Sequence, residues 1–382
     1  MTSLIRDLAA ATPEMLDAFG DEALVRAALV FERELAAAQA AEGLLSVSQA
    51  DAIAQACEAL PDIEALAAAA AHAGTLAIPL VAELRRRLAG DPAAAQVHLG
   101  ATSQDVADTA LVLQAKAGLA LIGRDARRLT AALAAIAEAH AATPMLGRTL
   151  LQPARPITFG LKVAGWLLGV DAALRRLDRE ADAALGLQFG GASGTLDGLD
   201  GKALAVSQRL AEGLGLTCPP IPWHARRDGI AGLAGALAIL TGALGKMAGD
   251  IALLAQSEVA EVFEPRTEGR GGSSAMAHKR NPTGCQVGRS AALRAPHLAA
   301  TVLAALPQEH ERGLGGWQAE GPVLAELFGV AHGALVAMAA VAEGLEIHAD
   351  RMAANLAQAE VGDDVGESTA LVANALQAWR RP

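Results

Sequence analysis

The chain has 382 residues, a formal net charge of −11, and 52% hydrophobic but only 3% aromatic residues. Alanine and leucine, both strong helix formers, dominate its apolar fraction, and β-branched and aromatic residues are sparse, so an all-α fold is expected. The acidic balance argues against nucleic acid as the main partner and restricts any anion site to a local basic cluster.

The first fifteen residues carry acids early and lack a long apolar core, so they do not read as a signal peptide. Asp21 opens a helix as cap or first-turn acid, with apolar residues at helical spacing through Leu24, Ala28, Phe31 and Leu35. Gly43 and Ser46 break it. Further helices are expected over 48–58, 62–73 and 80–89, the last stopped by Gly90, Asp91 and Pro92.

From Ser103 to about Ala142 there is almost no breaker; Thr102 or Ser103 can cap this helix, and Pro144 lies beyond its end. Pro153 and Pro156 then open a segment that stays helical in pattern to about Gly186. The glycine-rich stretch at 190–194 has the wrong spacing for a nucleotide loop and no strand before it. After a short helix near 201–213, Pro219, Pro220 and Pro222 exclude helix.

Asp228 starts the longest stretch, which ends near Phe263 and as a helix would reach roughly 50 Å. It is rich in Gly, Ala and Leu on nearly every face, so burial on all sides is expected, and subunits would have to share it. Its uncharged apolar run, 230–245, is shorter than the roughly 20 residues of a membrane span, which favours a buried helix and no membrane. Helices over 283–306 and 321–343 and a short helical tail complete the chain. The pattern divides into an N-terminal helical domain (1–97), a central long-helix bundle (98–343) and a short C-terminal cap (344–382). Three scattered cysteines fit a reducing cytoplasm, and no metal spacing links them.

Three polar clusters interrupt the helices. The first holds His98, Thr102, Ser103, Gln104 and Asp105 at a helix start, where backbone N–H groups and hydroxyls suit a carboxylate or phosphate. The second holds Arg148, Gln152 and Arg155, with paired guanidinium donors for carboxylates. The third is the loop at 271–282, which packs Gly271, Gly272, Ser273, Ser274, Met276, His278, Lys279, Arg280, Asn281 and Pro282 into one turn between helices. Downstream lie Gln308, His310 and Arg312.

In this order the clusters resemble the fumarase/aspartase superfamily, whose signature loop looks like G-S-S-x-M-P-x-K-x-N-P. Residues 272–282 match it except at Ala277, where proline is usual. The likeness covers nearly the whole chain, and stretches such as 189–196, 222–224, 261–265 and 308–317 are similar to the cycloisomerase branch. The resemblance implies an elongated helix bundle that assembles as a homotetramer with shared active sites, acts on a small tricarboxylate and needs no cofactor.

It assigns Ser273 as the base and Lys279 and His98 as further catalytic groups. It assigns Thr102, Ser103, Arg148, Gln152, Arg155, Ser274, Met276, His278, Asn281 and Arg312 to substrate binding. Several members carry a general-acid histidine where this chain has Leu150. A carboxylate leaving group, with a pKa near ~4, departs without a proton, whereas an amine or hydroxide needs one. Leu150 therefore points to a reaction that opens or closes a lactone. The alternatives are adenylosuccinate lyase or a related β-eliminating lyase of the same fold, and a non-catalytic helical scaffold.

Overall fold

The computed structural model describes residues 4–269, 271, 272, 276 and 279–381. The N-terminal part is a layer of short helices: α1 (Leu4–Asp7), α2 (Pro13–Ala18), α3 (Asp21–Ala41), α4 (Val47–Ala56), α5 (Ile63–Ala73) and α6 (Ala77–Arg87). Local chemistry sets their ends. Ser46 and Gln49 form a reciprocal capping box on α4, Asp62 caps α5, and Gly74 ends α5 in the left-handed conformation.

The body is a five-helix bundle of α7 (Ser103–Ala139), α8 (Phe159–Ala184), α10 (Asp228–Leu254), α11 (Thr283–Ala304) and α12 (Gly316–Glu343), with the short α9 (Ala203–Leu214) leaning on α3. α7, α10 and α12 run in one direction. Asp108 near the start of α7 meets Arg227 and Glu320 at the starts of the other two, and Arg128 later in α7 meets Glu343 at the end of α12. α8 and α11 run the other way. The main core lies between these five helices; a second core lies between α3, α4, α6, α9 and the first turns of α7.

By length and hydropathy α7, α10 and α12 each suffice to cross a membrane, but 56%, 56% and 67% of their most apolar windows are buried inside the fold. Their apolar side chains make the core.

Two sequence expectations are corrected. The segment after Pro144 does not become helical at Pro153. It forms an antiparallel hairpin, β1 (Pro144–Thr149) with β2 (Gln152–Thr158), and α8 starts only at Phe159, where Thr158 Oγ1 accepts the Leu161 N–H at 3.2 Å. Proline suits a first helical turn and an edge strand equally, and the partner strand decides. The stretch from Asp228 is helical for 27 residues, about 40 Å, and stops at Leu254. The longest helix is instead α7, with 37 residues.

Within one chain α10 is not buried on all sides. Ile239 and Leu253 are exposed, and nothing stands over Gly235, Gly242 and Gly249 on the same face. Beyond α10, β3 (Val262–Phe263) pairs with β4 (Glu346–Ile347), and α13 (Ala349–Gln358) and α14 (Ser368–Trp379) close the chain.

Candidate active site

Asp105 organises the first cluster. Its carboxylate accepts the backbone N–H groups of Thr102 (2.9 Å), Gly190 and Gly191 (3.0 Å each) and lies 2.7 Å from His224 Nε2. One buried acid thus fixes the start of α7 and pins the glycine-rich 190–194 loop against it. The Thr102 hydroxyl accepts from Arg312 Nη1 at 2.6 Å, and Ser103 is the first residue of α7. His98, Thr102 and Ser103 line an open cavity of 680 Å³ together with Arg85. His98 Nδ1 lies 2.6 Å from Glu32 Oε1.

A buried polar lattice supports this end. Arg227 makes two 2.8 Å bonds to Asp108, also donates to Glu320, and stacks over Trp223 at 4.6 Å. Gln104 and Gln188 each donate to Asp108, and Gln188 Oε1 accepts the Trp223 N–H. Each charge is paired and hydrogen-bonded, as burial requires.

The third cluster lies at the opposite end. Asn281 N donates to Gly271 O at 2.9 Å, and its side-chain amide to Gly272 O at 3.3 Å. Gly271 has φ +71°, and a Cβ there would stand 2.7 Å from Asn281 O, so this pinch needs glycine. Lys279 N donates to Met276 O, and Lys279 and Asn281 face a 460 Å³ cavity. Arg280 is not a ligand donor: it forms a two-pronged pair with Glu346, donates to Glu264 O and lies over Phe263. Both Glu264 carboxylate oxygens cap the first turn of α11 through Gly284 and Cys285 N–H. Ser273, Ser274 and His278, like Ala277, lie outside the described residues.

The second cluster divides. Gln152 and Arg155 are exposed on β2. Arg148 is paired within the chain: both terminal nitrogens donate to Glu261, at 2.9 and 2.8 Å, and Glu261 is fully buried and also accepts from Asn355. Its pairing is an internal tie between hairpin and C-terminal cap, a partner that spacing alone did not reveal. At the hairpin tip Leu150 and Leu151 are 95% and 74% exposed, and both have positive φ.

His98, Thr102, Ser103 and Arg312 therefore come together at one end, and Lys279 and Asn281 sit at the other with the hairpin. The 22 residues of α11 separate the two ends by about 33 Å. One end offers an anion a helix N-terminus, hydroxyls and a guanidinium; the other offers an ammonium and an amide.

Sequence reasoning missed Glu32 and Arg85. Arg85 reads as one of three cations in the last turn of α6, a helix-dipole position. Glu32 carries a usable signal: it sits in the apolar stripe formed by Ala28, Phe31 and Leu35, where an acid needs a partner.

The helix bundle and its polar ends define an all-α enzyme that handles anions. A family model described as "Lyase" matches residues 7–296. The chain belongs to this lyase family, the fumarase/aspartase superfamily.

It is 49% identical over 341 residues to 3-carboxy-cis,cis-muconate cycloisomerase of Pseudomonas aeruginosa, a match covering 88% of this chain and 74% of the relative. It is 43% identical over 367 residues to nitrosuccinate lyase of Streptomyces davaonensis, covering 93% and 77%. The crystal structure of the 3-carboxy-cis,cis-muconate lactonizing enzyme of Pseudomonas putida superposes with a TM-score of 0.92 at 38% identity, covering 99% of each chain.

Proposed function

We propose that this chain cyclises 3-carboxy-cis,cis-muconate to 4-carboxymuconolactone, a step of protocatechuate breakdown in the cytoplasm. The observation that carries the proposal is the near full-length likeness, in sequence and in fold, to enzymes of that name. Leu150 supports it independently. It stands where related lyases place an acid, and a carboxylate that adds or leaves as the anion needs none.

In the forward direction a substrate carboxylate oxygen bonds to the β carbon, and the π electrons move onto the neighbouring carboxylate as an aci-carboxylate. Ser273 delivers a proton to the α carbon; in the reverse direction Ser273 removes it. Lys279, Asn281 and Arg312 hold the extra negative charge, because donors fixed in advance stabilise charge that develops in the reaction. The start of α7, with Thr102 and Ser103, takes one substrate carboxylate, and Arg155 replaces the committed Arg148 as the hairpin's ligand for another.

The two half-sites are about 33 Å apart in one chain, so the complete site takes its parts from several copies, as in a homotetramer. The open face of α10 is a suitable packing surface for it. The boundaries near residues 97 and 343 then separate the helices of the tetramer core from two outer caps.

Mixing pure protein with 3-carboxy-cis,cis-muconate and following the loss of diene ultraviolet absorbance tests the reaction; unchanged absorbance overturns it. The 43% identity to nitrosuccinate lyase favours a second reading, β-elimination from a smaller dicarboxylate. Turnover of nitrosuccinate in place of the muconate selects that reading.

A further inference from the structure

We propose that Glu32 is a positioning residue of the site: it fixes His98 through Nδ1 and presents Nε2–H as a charged donor to a substrate carboxylate. The inference rests on the assignment of His98 to the site and adds to it a residue from α3 with its own task.

Three observations carry it. His98 Nδ1 lies 2.6 Å from Glu32 Oε1, and among the described residues the ring makes no other hydrogen bond, so Nε2 is the nitrogen left for the cavity it lines with Arg85, Thr102 and Ser103. The backbone on either side of His98 is also held. Gln39 donates to the Leu99 carbonyl at 2.7 Å and Arg85 to the Val97 carbonyl at 3.1 Å, and His98 itself has φ +67°, an uncommon conformation for a residue other than glycine.

Finally, Glu32 is 1% exposed, and its Oε2 has no hydrogen-bond partner among the described residues. A buried carboxylate with one oxygen unsatisfied destabilises the fold, and a neutral side chain suffices for a purely structural tie. What the negative charge adds is its effect on His98.

Three charged groups face the ring from three elements: Glu32 on α3, Asp105 on α7 and Arg85 on α6. Burial alone pushes the ring toward its neutral form. The bond to Glu32 and the charges of Glu32 and Asp105 outweigh burial and Arg85, and raise its pKa above the ordinary histidine value.

The test compares the parent with Glu32→Gln and His98→Gln. Glutamine keeps an acceptor for Nδ1–H and removes the charge. For lactonisation of 3-carboxy-cis,cis-muconate, Glu32→Gln is expected to lose kcat/KM on the order of tenfold at pH 7, chiefly through KM, and to recover most of that loss at pH 5, where the buried ring protonates without the carboxylate's charge. A loss equal at both pH values, or none, overturns the proposal.

A measurement without turnover reads the same ionisation. Acylation of His98 by diethyl pyrocarbonate, followed by peptide mass spectrometry against pH, sets in at higher pH in the parent than in a synthetic peptide of residues 94–104, and shifts to lower pH in Glu32→Gln. A parent onset equal to that of the peptide overturns the proposal whatever the reaction. Unchanged kcat/KM in His98→Gln overturns the assignment of His98 itself, and the role of Glu32 with it.

Discussion

At the scale of single residues, the polar groups divide into those that face a cavity and those that hold other groups in place. In the proposed reaction Ser273 carries the proton. Ser273→Ala is expected to lower kcat by about 10²–10⁴-fold while light scattering shows an unchanged oligomer, since proton transfer by one positioned group is worth that much. A scaffold without activity would lose nothing.

Arg227 belongs to the second kind. It is fully buried between Asp108 and Glu320, so Arg227→Ala leaves two carboxylates facing each other without a cation. The expected cost is about 3–5 kcal/mol of stability in denaturant unfolding, larger than for a surface pair. The proposed ligands Lys279, Asn281 and Thr102 stood out in the sequence because motif and residue type coincide there. Their holders did not. Glu32, Glu261 and Glu320 lie 66, 113 and 93 residues from His98, Arg148 and Arg227, and chain spacing carries no information about such pairings.

Among the elements, the β1–β2 hairpin is the most strained. Thr149 pairs with Gln152, leaving a two-residue turn in which Leu150 and Leu151 both adopt positive φ. Asn-Gly is the usual occupant of such a turn, and leucine there is strained by about 1–2 kcal/mol per residue. Replacing both, Leu150→Asn with Leu151→Gly, is therefore expected to raise the melting temperature. If the tip takes part in the proposed shared site, kcat/KM is also expected to fall, because two exposed apolar side chains are lost there. A variant that is more stable and fully active would remove the tip from the site. The hairpin was misread as the opening of a helix because Pro153 and Pro156 satisfy the rules for both elements. By contrast, α3, α4 and α5 were legible almost to the residue, since their caps and apolar stripes are local.

In the molecule as a whole, the half-sites stand at opposite ends of the bundle, and α10 leaves one face open. Gly235, Ile239, Gly242, Gly249 and Leu253 follow each other at helical spacing along that face, and Lys246 interrupts it. Ile239→Glu places a charge where another helix is expected to pack. The outcome expected is a smaller species by light scattering and a parallel loss of turnover, although Ile239 lies in the middle of α10, away from both of its ends. A variant of parental size and activity would show that this face is not buried in the assembly.

The sequence by itself determined the all-α class, the long central helices and the three clusters, because helix propensity, capping and motif identity are properties of neighbouring residues. Only the tertiary structure decided that Arg148 pairs with Glu261, that Arg312 joins Thr102, that Glu32 holds His98, and that α11 keeps Lys279 and Asn281 away from Thr102 and His98. Those facts depend on which helix ends meet, and burial and pairing across the bundle set that.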